Sequence, residues 1–224
     1  MIFDMDGTLL DSMPIWSMVE IDYLKSIGVA PHPDLKLVLR ALSGLETAQY
    51  FQTEYGVRKT TQQIEAERNA MLEDYYVNRA PLKEGVLPTL KRLKALGVRM
   101  CVVTATDRYL ASPALRRCGI LDFFERVFTC GEEGISKSDP DIFIHAAEFL
   151  GTDIGDTLVV EDALYAMRSA KKAGFPVAAV YDLSYEDRTD EIKALADFYF
   201  VTMDEMHGLL VPYGLGELTI NTNL

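Results

Sequence analysis

From residue 81 to residue 201 the chain alternates between β-rich apolar runs and amphipathic segments, and few architectures accommodate that pattern. Such alternation is typical of βαβ units, in which helices cover both faces of a parallel sheet. The predicted strands are Val98–Val103, Val127–Thr129, Thr157–Val160, Val177–Val180 and Phe198–Val201. The predicted helices are Val86–Leu96, Arg108–Cys118, Pro140–Leu150, Ala163–Ala173 and Glu186–Leu195.

A purely helical block separates the first strand, Met1–Phe3, from this alternating region. Helix signals begin at Asp11 or Ser12 and continue over residues 34–42, 46–55 and 60–79. We therefore predict an α/β fold with a Rossmann-like parallel sheet core, residues 1–12 and 81–224, and an inserted all-helical cap domain, residues 13–80. Hinges are expected near residues 12–14 and 79–84. From Val211 onward, proline, glycine and polar residues predict a loosely held tail.

Two aspartates, Asp4 and Asp6, directly follow the first strand. On a strand the i, i+2 spacing points both carboxylates to one face. Two like charges so close together require a compensating cation, and a hard metal ion bound by oxygen atoms fits this requirement. Only Met1, Ile2 and Phe3 precede Asp4, which is short for a central strand, so the sequence leaves open whether the native chain begins upstream of Met1.

Three other segments place chemically active side chains at the same predicted edge of the sheet. Thr104 ends one strand, Glu161 and Asp162 end another, and Lys137 lies on a loop before a helix. Ligands of open α/β sheets bind beyond the carboxyl ends of the strands. The sequence therefore predicts a site that combines carboxylates, a hydroxyl and an ammonium group.

Four motifs, in order, resemble those of the haloacid dehalogenase superfamily, in its phosphatase and β-phosphoglucomutase-like branch with a helical cap. The stretch from Asp4 to Asp11 resembles the first motif and Thr104 the second. Lys137-Ser-Asp-Pro-Asp-Ile-Phe resembles the third, and Glu161-Asp162 the fourth. The departures are at packing positions and at a secondary hydrogen bond: Ser138 replaces a usual proline, and Ala163 and Ala166 replace serine and glycine.

The resemblance implies a Mg²⁺-dependent phosphatase that hydrolyses a small phosphorylated metabolite, such as a sugar phosphate, through an aspartyl-phosphate intermediate. It implies that Asp4 is the nucleophile and Asp6 the general acid and base. The implied metal ligands are the Asp4 carboxylate, the Asp6 main-chain carbonyl and Asp162. Glu161 would orient metal-bound water.

The same resemblance assigns the phosphoryl group to Thr104 and Lys137, and substrate selection to the cap. Within the cap, Trp16 and the turn Ser43-Gly44-Leu45-Glu46 are predicted to face the cleft, although the cap aromatic residues in general favour a cap core. These aromatic residues are Trp16, Tyr50, Phe51, Tyr75 and Tyr76.

Two other functions compete with the phosphatase hypothesis. A β-phosphoglucomutase-like phosphotransferase shares all four motifs, but it must hold a second phosphate. The cap turn contains no lysine or arginine, since the nearest basic residues are Lys36 and Arg40. The other alternative is a non-catalytic binding module on the same fold, which the retention of every acid and of Lys137 disfavours.

Composition excludes several partner classes. The net charge of −12 disfavours binding to nucleic acids or to anionic membranes. No apolar run approaches the roughly 20 residues of a membrane span, and no leader sequence precedes Asp4. Cys101, Cys118 and Cys130 lack metal-site spacing and are interpreted as reduced thiols of a cytoplasmic protein. We expect a monomer.

Overall fold

The computed structural model describes residues 1–39 and 42–210, and within these ranges the chain forms one parallel sheet of six strands. The strands are β1 (Ile2–Phe3), β2 (Cys101–Thr104), β3 (Val127–Thr129), β4 (Val159–Glu161), β5 (Val177–Val180) and β6 (Phe198–Phe200). Their order across the sheet is β3-β2-β1-β4-β5-β6. The predicted α/β class with a Rossmann-like parallel core and an all-helical insertion is confirmed.

Helices connect these strands and form the insertion. Over the described ranges they are α1 (Met13–Ser26), α2 (Leu35–Leu39), α3 (Gly44–Glu54), α4 (Thr61–Asn78), α5 (Val86–Ala95), α6 (Arg108–Arg117), α7 (Cys130–Glu133), α8 (Asp141–Leu150), α9 (Leu164–Ala173) and α10 (Thr189–Leu195). Short 3-10 helices cover Leu121–Phe123, Ile154–Asp156, Leu183–Arg188 and Met203–Leu210. In this part of the chain, none of the helices combines the length and apolar character needed to cross a bilayer.

Alternate residues of the central strands belong to two separate cores, one on each side of the sheet. In β1, Ile2 packs in one apolar cluster and Phe3 in the other. In β2, Cys101 packs in the same cluster as Ile2, and Val102 in the same cluster as Phe3. The side chains of these four residues are fully buried. Burial on both faces explains why these strands are continuous apolar runs rather than alternating patterns.

The helices α1–α4, which form the cap, contain a small core of their own. Its buried members are Tyr23, Leu24, Leu35, Ala48, Phe51 and Ile64. The rings of Tyr23 and Phe51 stack at a centroid distance of 5.7 Å.

The two chain segments that lead into and out of the cap pair with each other. The Asp11 amide donates to the Pro81 carbonyl at 2.9 Å, and the Lys83 amide donates to the Leu9 carbonyl at 3.0 Å. This pairing lies where the hinges are expected, whereas the domain boundaries at residues 12/13 and 80/81 stay predictions.

Several predicted boundaries shift for local reasons. The strand predicted from Val98 begins at Cys101, because the Val98 amide instead closes α5 by donating to the Leu93 carbonyl at 3.0 Å. The helix predicted over residues 34–42 covers only Leu35–Leu39 before the described range stops. Arg40, Ala41 and the predicted tail from residue 211 lie outside the described residues.

Candidate active site

The site is built at the carboxyl ends of β2, β1 and β4, which are adjacent in the middle of the sheet. Asp4 follows β1, Thr104 ends β2, and Glu161 ends β4. The Asp4 amide donates to the Val160 carbonyl at 2.9 Å, which fixes the end of β1 against β4. Strand order therefore brings together side chains that are 57 to 157 residues apart in the sequence.

Lys137 provides a buried cation next to two of the carboxylates. Its Nζ donates to Asp4 Oδ1 at 2.5 Å and forms an ion pair with Glu161 Oε1. Burial, opposed by the charge of Lys137, raises the pKa of Asp4 to about 6. Burial would lower the pKa of Lys137, but the charges of Asp4 and Glu161 hold it well above its usual value. Lys137 therefore stays protonated and places a fixed positive charge next to the Asp4 carboxylate.

Carboxylate oxygen atoms of Asp4, Glu161 and Asp162 lie within 4.8 Å of one another, and all three residues are buried. Asp162 Oδ1 accepts a hydrogen bond from Thr8 at 3.3 Å, whereas the buried Oδ2 atom has no hydrogen-bond partner among the described residues. Burial and the charges of Glu161 and Asp4 raise the pKa of Asp162 well above its usual value. A buried carboxylate oxygen without a partner in such a cluster fits a divalent cation that prefers oxygen ligands.

Gly7 leaves the space beside this carboxylate. Its φ angle is +82°, and a Cβ atom at this position would lie 2.3 Å from Asp162 Oδ2. Any residue with a side chain would be strained by its backbone and would also collide with the Asp162 oxygen. The glycine after Asp6 is thus required by the shape of the carboxylate cluster.

Glu161 is held by the start of the segment that leads into α9. Its Oε2 atom accepts hydrogen bonds from the amides of Asp162 and Ala163, each at 2.7 Å. The other carboxylate oxygen faces Lys137. Glu161 therefore lies inside the acidic cluster, where it can either bind the cation directly or orient water around it.

Three hydroxyl groups surround the Asp6 carboxylate. Ser12 Oγ donates to Oδ1 at 2.6 Å, Thr106 Oγ1 donates to Oδ2 at 2.6 Å, and the Tyr76 hydroxyl also donates to Oδ1. Ser12 precedes α1 but makes no side-chain cap to that helix, and its hydroxyl donates to Asp6. Desolvation, followed by the charge of Asp4, raises the pKa of Asp6. The two aspartates thus have different surroundings: an ammonium group contacts Asp4, and neutral hydroxyls contact Asp6.

Thr104 is fully buried, and its hydroxyl oxygen accepts a hydrogen bond from the Thr106 amide at 3.0 Å. Thr106 and Ala105, rather than Thr104, line the cavity above the sheet edge. The hydroxyl proton of Thr104 is not used by this bond, so contact with a phosphoryl oxygen stays a prediction.

A cavity of about 230 Å³ connects the carboxylate cluster with the cap. Trp16, Ser43 and Gly44 line this cavity, and their contact with a substrate stays a prediction. Glu46 does not line it, since its carboxylate accepts hydrogen bonds from the Ser43 amide and hydroxyl at 2.7 and 2.6 Å. This capping box starts α3, and Glu46 is therefore occupied by helix capping in this structure.

Sequence reasoning missed several side chains that line the cavity or contact Asp6. Thr106 could have been found from its place on the loop after β2, two residues beyond Thr104. Tyr76, Glu20 and Arg68 belong to the cap helices, and nothing in their spacing signals the site. Their roles depend on how the insertion packs over the sheet.

A family model described as haloacid dehalogenase-like hydrolase matches residues 1–174, which is more than half of the chain. The chain belongs to this family. The predicted superfamily is thereby confirmed, and so is the predicted enzyme class, a hydrolase of the phosphatase type. The acidic cluster and Lys137 of this haloacid dehalogenase-like hydrolase lie where the four motifs converge.

Curated relatives of this hydrolase are named phosphatases. A phosphoglycolate phosphatase from Thiobacillus denitrificans is 27% identical over 195 residues, covering 80% of this chain and 81% of the relative. A (DL)-glycerol-3-phosphatase from Arabidopsis thaliana is 28% identical and covers 88% and 87%. Hexitol phosphatase B from Escherichia coli is 25% identical and covers 92% of both. The substrates in these names include an acid, phosphoglycolate, and hydroxylated compounds, glycerol 3-phosphate and hexitol phosphates. The names of the relatives therefore do not decide which of these two substrate classes this hydrolase acts on.

Solved structures share the fold. A β-phosphoglucomutase from Clostridium difficile superposes with a TM-score of 0.76 at 18% identity, covering 96% of this chain and 95% of that one. CbbY from Rhodobacter sphaeroides, in complex with xylulose-(1,5)bisphosphate, gives a TM-score of 0.75 at 20% identity, covering 92% and 94%. At these identities the likeness concerns the fold alone.

Proposed function

We propose that this protein is a Mg²⁺-dependent phosphatase that hydrolyses a small phosphorylated metabolite through an aspartyl-phosphate intermediate. The observation that carries the proposal is the different surroundings of the two aspartates. Asp4 lies against a buried ammonium group, whereas Asp6 is held by three hydroxyls. The first environment suits a carboxylate nucleophile and the second a group that exchanges a proton.

In the first half-reaction, an Asp4 carboxylate oxygen forms a bond to phosphorus while the bond to the leaving oxygen breaks. Asp6 gives its proton to that oxygen, so the alcohol leaves as a neutral molecule. Lys137 Nζ, 2.5 Å from Asp4 Oδ1, offsets the negative charge that accumulates between nucleophile and phosphoryl oxygens. Thr104 would donate its hydroxyl proton to one of those oxygens.

In the second half-reaction, water attacks the phosphorus of the aspartyl-phosphate. Asp6, now ionised, accepts the proton of that water, and the bond from phosphorus to Asp4 breaks to release phosphate. Ser12, Tyr76 and Thr106 keep the Asp6 carboxylate in one position through both proton transfers. Both half-reactions thus use the same acid in opposite directions.

Mg²⁺ would be held by Asp4, Asp162 and the main-chain carbonyl of Asp6, with Glu161 beside it. When bound, it supplies positive charge that offsets the repulsion between carboxylates and phosphoryl oxygens. The unpartnered Asp162 Oδ2 atom and the spacing of the cluster support such a site.

The test is Mg²⁺-dependent phosphate release from p-nitrophenyl phosphate and from an alkyl phosphate. We expect Asp4→Asn to lose activity on both, by about 10³-fold or more. Asp6→Asn should lose more on the alkyl phosphate, because p-nitrophenolate leaves without a proton. The matched control is Asp122→Asn, an exposed acid far along the chain from the cluster.

Each competing function has its own outcome. No turnover by the folded wild-type protein with Mg²⁺ contradicts the phosphatase and favours a binding module. Conversion of a sugar 1-phosphate to its 6-phosphate without net phosphate release favours the phosphotransferase. Equal activity of wild type and Asp4→Asn contradicts the assignment of Asp4 as the nucleophile.

A further inference from the structure

The cap wall of the cavity contains a buried ion pair that the proposed chemistry does not use. Glu20 of α1 and Arg68 of α4 form this pair, and they are only 7% and 4% exposed. Both line the cavity. The pair lies next to Trp16, whose ring centroid is 5.9 Å from the Arg68 guanidinium carbon.

One polar atom of each partner is left over. Glu20 Oε2 and Arg68 Nε are buried and have no hydrogen-bond partner among the described residues. The first is a hydrogen-bond acceptor and the second a donor. Buried polar atoms without partners are rare and costly in folded proteins, so a cavity lined by such a pair invites a ligand that satisfies both.

The charges around this pair disfavour a second anion on the substrate. Glu20 neutralises Arg68, and two more acids, Glu65 and Asp107, line the same cavity. Asn69 donates to Asp107 Oδ2 at 2.5 Å but brings no charge. Among the described residues that line this side of the cavity, the remaining cation is Lys36, an exposed residue of α2. A carboxylate or second phosphate on the substrate tail would therefore meet net negative charge.

We infer that the Glu20–Arg68 pair recognises an uncharged, hydroxyl-rich substrate tail, so that the substrates are polyol or sugar monophosphates rather than phosphorylated acids or bisphosphates. A hydroxyl group both donates and accepts, and neighbouring hydroxyls can therefore satisfy Glu20 Oε2 and Arg68 Nε together. The face of Trp16 packs against the C–H groups of such a tail. The inference rests on the proposed phosphatase function and adds the class of its substrate.

The test compares kcat/KM for glycerol 3-phosphate and a hexitol 6-phosphate with that for 2-phosphoglycolate and phosphoethanolamine. p-Nitrophenyl phosphate, which has no tail hydroxyl, reports the core chemistry. We expect the hydroxylated substrates to exceed both charged ones by at least about tenfold. The carboxylate of phosphoglycolate meets net negative charge, and the ammonium group of phosphoethanolamine has no acceptor for Arg68 Nε.

Glu20→Gln separates recognition from structure. It keeps the size of the side chain but leaves the Arg68 charge uncompensated, so the ratio of phosphoglycolate to hexitol phosphate turnover should rise at least about tenfold. A purely structural role would lower all activities in parallel. Glu65→Gln, which leaves the ion pair intact, should shift the ratio in the same direction if Glu20→Gln does not fold. Glu73→Gln removes an exposed charge from the same cap helix and should leave the ratio unchanged.

The same assays separate an error in the substrate class from an error in the phosphatase function. If p-nitrophenyl phosphate is hydrolysed but wild type prefers phosphoglycolate or phosphoethanolamine, the assigned substrate class is wrong and the phosphatase stands. If folded Glu20→Gln keeps the wild-type ratio of phosphoglycolate to hexitol phosphate turnover, the Glu20–Arg68 pair does not select the substrate. Where Glu20→Gln does not fold, the same result for Glu65→Gln has the same meaning. Absence of turnover on every substrate contradicts the phosphatase itself.

Discussion

The hydroxyl of Tyr76, on the last helix of the cap, donates a hydrogen bond to Asp6 Oδ1 at the edge of the sheet. The hydroxyl oxygen of Tyr76 in turn accepts a hydrogen bond from Trp16 Nε1 at 2.6 Å. Two cap residues therefore form a chain of hydrogen bonds that ends on the proposed general acid. This chain connects the packing of the cap with the orientation of Asp6, so we expect changes in these cap residues to affect the chemistry.

Tyr76→Phe should lower kcat by roughly tenfold with little change in KM, because Asp6 loses one of three hydroxyls that orient it. The effect should be larger on an alkyl phosphate than on p-nitrophenyl phosphate, whose leaving group does not need the proton. Steady-state kinetics on both substrates measure this difference. Tyr75→Phe is the control, since the Tyr75 hydroxyl donates only to the Asp11 carbonyl, at 3.0 Å. Equal losses in the two variants would contradict a special role for Tyr76.

Gly7→Ala should weaken Mg²⁺ binding by about tenfold or more, because the added methyl group displaces Asp162 Oδ2 from the cluster. Calorimetric titration with Mg²⁺ in the absence of substrate measures this affinity directly. Gly28→Ala is a matched control, since Gly28 has a similar φ angle of +77° but no atom within 4 Å of the added Cβ.

Both glycine variants should lose about 1–2 kcal/mol of stability from backbone strain, and Gly7→Ala should lose more because of the collision. If Gly7→Ala bound Mg²⁺ as tightly as wild type, the position of Asp162 would not be set by this glycine.

The sequence suffices to predict the residues that come directly after strands. Asp4, Thr104, Glu161 and Asp162 follow apolar runs, and the rule that parallel strands end at one edge brings them together. The position of Lys137 is harder to predict, because its loop must fold back over the sheet. Its assignment to the site depended on the family motif.

Of the three partners of Asp6, Thr106 could have been found from its place two residues beyond Thr104, but Ser12 and Tyr76 could not be predicted. Ser12 carries a helix-cap signal, yet its hydroxyl bonds to Asp6 instead. Tyr76 lies 70 residues from Asp6 and belongs to an insertion whose packing has no local signature. Conversely, the Ser43-x-x-Glu46 spacing is that of a capping box. The sequence could therefore have predicted that Glu46 caps α3 rather than facing the cleft.

Lys137→Met should destabilise the metal-free protein by about 3–5 kcal/mol, because it leaves two buried carboxylates without their cation. Urea denaturation in the presence of EDTA measures this loss. Mg²⁺ should reduce the difference from wild type, since it would restore positive charge to the same cluster. Lys171→Met, which breaks a partly exposed pair with Asp197, should cost about 1 kcal/mol or less under both conditions. A loss that Mg²⁺ leaves unchanged would argue against a metal beside Lys137.

The stability of the metal-free protein should respond to pH through Asp4, whose pKa rises from 3.8 to about 6 on folding. Because the folded protein binds this proton more tightly than the unfolded chain, protonation of Asp4 favours folding. Its stabilising contribution is complete below about pH 3.8 and is lost as the pH rises through about 6. The raised pKa values of Asp6 and Asp162 act in the same direction.

The readout is the difference in free energy of unfolding between wild type and Asp4→Asn, measured in EDTA from pH 7.5 to 5. Wild type should gain stability relative to the variant as the pH falls, whereas Asp122→Asn should follow wild type throughout. With Mg²⁺ the direction should reverse, because protons and the cation compete for the same carboxylate oxygens and the stabilisation by Mg²⁺ fades on acidification. A difference in free energy of unfolding between wild type and Asp4→Asn that stays constant from pH 7.5 to 5 in EDTA would show that Asp4 stays ionised in the folded protein, as expected if Lys137 outweighed burial.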